Sequence, residues 1–464
     1  MENDSRVAVV VAHLERLIER GAPGDALPST RALCRELSTS PVTVGRAVAA
    51  LAARGRVRSE PGRGVFIAAG PRTEAASTGW QSLALAPSRV DGAAVRFLDP
   101  VGVLADTVPL SSGYLGADLH PRAALQAAAS RSIRRGSVWE PAPAAGLSAL
   151  RAVFAHQATV DESEVLVTNG SQSAIALIAQ AVGAPGDAVI VESPTYPGAL
   201  AALRAAGLRP IPVPTDARGV DPGDMDAAFA RTGARLAYLQ SAVNNPTGLS
   251  LHPERRRPLL EVARRHRALV IDDDWARHIR LDAPVPPPLI ADDVHGHVIH
   301  ISSLAKPVAP SLRVGFLAAR GPVLARLHTA VVTNQLFVAR PLQEIALEFL
   351  TSADWPRHTG RLSRALVARR DALLAQVRRV WPDGDVTPPR AGFHLWLRCP
   401  RGVEPGPLAR DAQRAGITIG DGDAYFAGEP ADARIRLSFS ATSERQAADA
   451  LVTLATVRDS VAVH

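Results

Sequence analysis

A winged helix-turn-helix followed, across a connector, by a large α/β domain on a mainly parallel sheet is the fold class this 464-residue sequence predicts. Three observations predict it. The first seventy residues read as three short helices and a basic hairpin. Residues 69–106 lose apolar periodicity and fill with Ala, Gly, Pro, Ser and Thr. From about residue 107, short apolar runs alternate with amphipathic helical stretches, the pattern of a parallel sheet covered on both faces. The length also exceeds what one hydrophobic core serves.

Residues 7–21, VAVVVAHLERLIERG, repeat apolar positions at helical spacing and stop at Gly21. A second helix covers LPSTRALCREL, residues 27–37. Ser40 then Pro41 opens a third, with a hydroxyl N-cap before a proline that needs no N–H; it runs to Gly55. RVRSEPGRGVFIA, residues 56–68, reads as strand, turn, strand. Residues 26–70 hold seven Arg against Glu36 and Glu60, so this stretch is basic although the chain nets only +7. A solvated basic face would give the same charge, but the order helix, turn, helix, wing favours double-stranded DNA as the partner. The third helix would enter the major groove. Thr43 and Arg46 are its exposed polar candidates, while Arg31, Arg35 and wing-tip Arg63 are placed for phosphate or the minor groove.

The connector, residues 69–106, reads as a flexible linker with an r.m.s. span of about 30–35 Å; Trp80 and Phe97 are its side chains suited to packing. No basic-then-apolar leader opens the chain and no apolar run reaches membrane-spanning length. Cys34 and Cys399 lack metal-ligand spacing and read as reduced thiols. A cytoplasmic protein is expected.

Within residues 107–464, polar, small or charged residues gather at strand ends, where open α/β sheets bind ligands. Lys306 is among them. It is the one lysine in a chain with 52 basic side chains. A general preference for arginine explains the others but not this exception: a Lys amine loses its proton when buried and attacks carbonyls, which a guanidinium does not. Ser171 and Gln172 open a helix after a strand, so N–H groups and a hydroxyl can hold phosphate. Ser303 and Arg313 flank the lysine and can reach the same group. Asp273 ends an apolar run and needs a partner such as a protonated ring nitrogen. Tyr196 can lie on an aromatic ring, and Asn245 can reach a ring hydroxyl. Each has an ordinary alternative: a helix cap, a core tyrosine, an Asn-Pro turn. Together, aldehyde, phosphate, pyridine nitrogen and phenolic oxygen describe pyridoxal 5′-phosphate.

PGDALPSTRAL and EPGRGVFI resemble the GntR family of bacterial regulators. LSSGYLGADLHP, VTNGSQSA, ESPTYPGA, NNPTG, IDDDW, SSLAKPVAPSLRVGF and RIRLSF resemble the fold-type I aminotransferases of class I/II. The two in this order resemble the MocR subfamily of transcription regulators. The resemblance implies that Lys306 forms the Schiff base, Asp273 pairs with the pyridine nitrogen, Tyr196 stacks on the ring and Asn245 contacts its 3′-oxygen. It assigns Ser171, Gln172, Ser303 and Arg313 to the phosphate and Arg436 to an amino-acid α-carboxylate. It further implies a smaller C-terminal α/β subdomain and a homodimer responding to an amine or amino-acid effector. Four departures stand out. Pro41 occupies a recognition-helix position usually held by arginine, Trp275 replaces a tyrosine, and residues 136–146 lack the usual tyrosine-and-glycine pattern. Asn-Asn-Pro-Thr-Gly, the form of true aminotransferases, stands where the family commonly has His-Gln…Pro-Thr/Ser-Gly; it argues for catalytic competence, whereas Trp275 argues against it. The expected function is a regulator that senses the cofactor or an effector. A working aminotransferase is the alternative, and a cofactor-free dimerisation domain a weaker third.

Overall fold

The computed structural model describes residues 2–69, 77–90, 92–95, 107–382 and 384–461. It divides into two compact units, residues 1–87 and 88–464, with the division inside the expected connector. Much of that stretch, Phe97 included, lies outside the described residues. Its described parts include single-turn helices Gln81–Ala84 and Gly92–Val95. Trp80 is 63% exposed, so it does not pack as expected.

In the first unit, α1 (Glu2–Arg20), α2 (Thr30–Glu36) and α3 (Pro41–Ala53) precede a hairpin of β1 (Val57–Glu60) and β2 (Gly64–Ile67). Ser29 caps α2 and Ser40 caps α3, each accepting a backbone N–H from three residues on. Val10, Leu14, Leu33, Val44, Ala47 and Leu51 form the core, with Val57 and Ile67 pinning the wing to it.

The second unit opens with β3 (Val108–Pro109) and then builds an eight-stranded sheet. Its strands are β4 (Val165–Thr168), β5 (Ala188–Ser193), β6 (Arg209–Asp216), β7 (Gly219–Val220), β8 (Leu236–Leu239), β9 (Leu269–Asp273), β10 (Val298–Ser303) and β11 (Gly315–Ala318). The order is β4-β11-β10-β9-β8-β5-β6-β7. Pairings from β10 through β9, β8 and β5 to β6 are parallel, while β11 runs antiparallel to both its neighbours. Alternate residues feed two cores. Val165, Val167, Ile190, Val270 and Val298 face helices such as Ser148–Ala158 and Pro253–His266. Leu166, Val191, Tyr238, Ile271 and Ile301 face Ser171–Val182, Pro197–Ala205 and Pro322–Gln335. Burial on both faces explains why these strands read as continuous apolar runs.

The smaller subdomain places β12 (His394–Arg398), β14 (Gly420–Asp421) and β15 (Arg434–Ser438) in an antiparallel sheet ordered β12-β15-β14, while β13 (Ile417–Thr418) pairs with β3. Helices Asp354–Val380 and Glu444–Val461 cover it. Leu110 and Leu115 join the same core, which brings the start of the unit beside its end. Among the described residues no helix is long and apolar enough to cross a membrane. Both cysteines are free.

Candidate functional site

The strand ends converge as their spacing implied. Lys306 follows β10, in the short return to β11, and its Nζ donates to Gly113 O at 2.7 Å. The same nitrogen lies 3.9 Å from the centre of the Tyr114 ring. The side chain keeps partial exposure, yet loss of water around the amine, reinforced by the Arg436 charge, lowers its pKa to about 7. An amine with that value is neutral in about half of the molecules at pH 7.

Asp273 ends β9 on the face that carries Ile271. Tyr238 Oη donates to its Oδ2 at 2.6 Å and Gln240 Nε2 at 3.3 Å. Its Oδ1 is buried without a hydrogen-bond partner. Burial, with the adjacent Asp274 and Asp272 charges, raises its pKa to about 6. Opposite parity puts Asp272 on the other face, where it accepts from Ser241 Oγ at 2.6 Å and lies 3.3 Å from His300 Nδ1. That fixes the strand end from behind.

Ser171 begins the helix Ser171–Val182 after Gly170, whose φ of 81° suits glycine. A Cβ on Gly170 would come within 3.0 Å of Arg313 Nη2. Arg313 donates to Asn169 O at 2.7 Å and so lies across the helix start. Ser303 borders the same place, because a Cβ on Gly315 would lie 2.8 Å from Ser303 Cβ and 3.0 Å from Gly170 Cα. Ser171 Oγ is buried and unpartnered. The Gln172 side-chain amide donates to Gly198 O at 2.8 Å, so what this residue offers the helix start is its backbone N–H, the kind of donor expected there.

Arg436, on β15, donates through Nη1 to Asn245 Oδ1 at 3.0 Å and through Nη2 to Ser111 O at 2.6 Å, and its Nη1 lies 3.3 Å from His394 Nε2. Its Nε is buried and unpartnered, leaving a donor edge suited to a carboxylate. Asn245 Oδ1 is thereby committed, so its Nδ2 is the group left to donate. Tyr196 packs its ring over Gly198, where a Cβ would meet it at 2.3 Å, and burial pushes its phenol up. Glu192 accepts from Gln240 N at 2.7 Å and Asn244 Nδ2 at 3.2 Å, tying β5 to the loop that carries Asn245. Trp275 donates its only N–H to Val243 O at 2.7 Å and packs on Phe393 and His394. It serves the core of the smaller subdomain and offers no donor to a ligand.

Sequence reasoning missed Tyr114, Tyr238, Gln240 and His394. One signal was available: the chain has four tyrosines, and all four lie here, Tyr425 beneath Arg436 at 5.2 Å.

On the first unit, Arg31, Arg35 and Arg46 are exposed and Arg63 pairs with Glu60 at 2.8 Å. Thr43 is corrected. It is 5% exposed, and its hydroxyl lies 2.9 Å from Ser40 Oγ, because the capping serine draws the third helical residue back to the helix start. The exposed neighbour is Val42.

Residues 105–454 match the family of class I and II aminotransferases, and residues 7–67 match bacterial regulatory proteins of the gntR family. The HTH-type transcriptional regulator TauR of Rhodobacter capsulatus is 28% identical over 91% of this chain and 89% of its own. The 2-aminoadipate transaminase of Thermus thermophilus is 28% identical over 77% of this chain and 91% of its own. Among solved structures, LysN, an α-aminoadipate aminotransferase of Thermus thermophilus complexed with N-(5′-phosphopyridoxyl)-L-leucine, is similar with a TM-score of 0.76 and 26% identity, over 82% of this chain and 98% of that one. The cofactor of this fold is pyridoxal 5′-phosphate. The residues fit it: an unpartnered Asp273 oxygen for a ring N–H, an unpartnered Ser171 hydroxyl beside Arg313 for phosphate, and a near-neutral amine for the aldehyde. The chain belongs to the class I and II aminotransferase family, and its GntR-type first unit gives it the domain order of the MocR subfamily of transcription regulators.

Proposed function

We propose that this chain is a DNA-binding transcription regulator whose large unit binds pyridoxal 5′-phosphate and senses the cofactor together with an amine or amino acid. The observation that supports this reading is a basic winged helix in one chain with strands and strand ends that carry Lys306, Asp273 and Arg436. When bound, the cofactor supplies an amine-reactive aldehyde on an electron-withdrawing ring. Lys306 offers the amine. Asp273 Oδ1 accepts the ring N–H, and Asn245 Nδ2 donates to the ring oxygen. Ser171, Ser303, Arg313 and the backbone N–H of Gln172 hold phosphate, and Tyr196 covers the ring. Arg436 presents Nε to an effector carboxylate. A homodimer in the cytoplasm suits this reading, since two-fold dimers read paired half-sites on duplex DNA.

A working aminotransferase is the second reading, favoured by the low pKa of Lys306, which lets it take and return a substrate proton near neutrality. Against high turnover, Trp275 replaces a phenol and has spent its one N–H on Val243 O.

The test is full-length protein titrated onto the DNA upstream of its own gene, with unrelated DNA as control, with and without pyridoxal phosphate and a panel of amines and amino acids. The regulator reading expects at least one combination to shift affinity roughly fivefold or more, and Lys306→Ala to abolish the shift. Unchanged DNA affinity with amino transfer to 2-oxoglutarate at about 1–1,000 per second would replace it with the enzyme reading.

A further inference from the structure

Val42, at the second position of α3, is 71% exposed. Pro41, Gly45, Arg46 and Ala49 are exposed beside it, whereas Thr43, Val44, Ala47 and Leu51 are buried. Positions 42, 45, 46 and 49 follow the three-and-four spacing of one helical face. The outward strip is therefore an isopropyl group, a bare backbone, one guanidinium and a methyl. The hydroxyls at the helix start, Ser40 and Thr43, bond each other, and Ser40 also accepts the Thr43 N–H, which turns Thr43 in toward the cap.

Duplex DNA is the occupant that the charge argues for, with seven Arg against two Glu across residues 26–70. A recognition helix presents its N-terminal residues to base edges in the major groove. Most of what a base pair shows there is a donor or an acceptor, and an apolar side chain pressed on one strips its water without replacing the bond. The C5-methyl of thymine is the exception, and small apolar side chains pack on it. Gly45, one turn on, adds no side chain to hold the helix away.

We propose that Val42 is a base-reading residue that packs on a thymine C5-methyl, so that the DNA sites this protein prefers carry thymine opposite the first turn of α3. The inference rests on the DNA-binding reading above and adds the base that is read.

The test selects sites from a randomised duplex library with full-length wild type and Val42→Ala, then measures affinity for the selected site with its thymine replaced by deoxyuridine. Alanine suits an exposed helical position and leaves Val44, Ala47 and Leu51 untouched. We expect Val42→Ala to lose the preference for thymine at one position per half-site while keeping the others, which also shows that the unit is folded. Deoxyuridine there should weaken wild type about fourfold, the equivalent of ~0.8 kcal/mol for one buried carbon, and leave Val42→Ala unaffected. Identical preferences in both proteins, or equal losses on deoxyuridine, would overturn the inference while leaving DNA binding intact. Enrichment of no site by wild type would overturn the DNA-binding reading and this inference with it.

Discussion

Lys306 can be tested without any cofactor because it is the only lysine. In apo protein, competitive acetylation followed by peptide mapping reports one ε-amine. Burial lowers its pKa from 10.5 to about 7, so acetylation should rise through pH 7 and level off near pH 8. Reactivity still climbing at pH 10 would mean an ordinary exposed amine. Asp273 carries the opposite burden. Its pKa is raised to about 6, so the stability it contributes while protonated is lost as pH rises through about 6. Asp273→Asn should leave apo protein more stable than wild type at pH 8, by ~1–3 kcal/mol. The gap should shrink toward pH 5. Cofactor affinity should fall ten- to a hundredfold, the range of a charged hydrogen bond. An apo variant less stable than wild type at pH 8 would contradict this. Lys306 and Asp273 were legible because charge at an apolar strand end is conspicuous, Arg313 because it flanks the lysine, and Arg436 only through the resemblance of RIRLSF. Tyr238, Gln240 and His394 were not. Their partners come from other strands 33–42 positions away, and strand register is not written in local sequence.

At the scale of elements, α3 shows both what patterning reveals and where it stops. Ser40-Pro41 marked the helix start, and α3 begins at Pro41. The facing of Thr43 escaped, because its hydroxyl satisfies the capping serine instead of solvent. Ser40→Ala should destabilise the first unit by ~0.5–2 kcal/mol, the usual worth of such a cap, measured as a lower melting midpoint with helical circular dichroism retained below it. No shift would mean that Pro41 alone fixes the helix start. The sheet was legible as mainly parallel from its continuous apolar runs. The antiparallel β11 was not singled out, although its reason is plain: the return from Ser303 to Gly315 is too short to hold the helical crossover a parallel pair needs. That constraint also places Lys306 in a tight return over the strand ends.

For the whole molecule, charge is the property that bears most directly on the partner. Residues 26–70 carry an excess of five positive charges in a chain whose net is +7. DNA affinity should therefore fall steeply with salt. Arg31→Ala should lower the slope of log affinity against log salt by about one and weaken all DNA sequences alike. Arg46→Ala should cost five- to 150-fold on the preferred site and little on unrelated DNA. Equal effects of the two variants would mean that α3 is not the reading helix. The two-part organisation was legible because composition changes twice along the chain.

The claim beneath the sensing and the catalytic readings alike is that the lone ε-amine of the large unit holds the cofactor covalently. Borohydride reduction of protein equilibrated with pyridoxal phosphate, followed by peptide mass mapping, tests it. The account predicts a phosphopyridoxyl group on the peptide containing Lys306 and none on Lys306→Ala. An unmodified Lys306 in protein that has taken up the cofactor would contradict it.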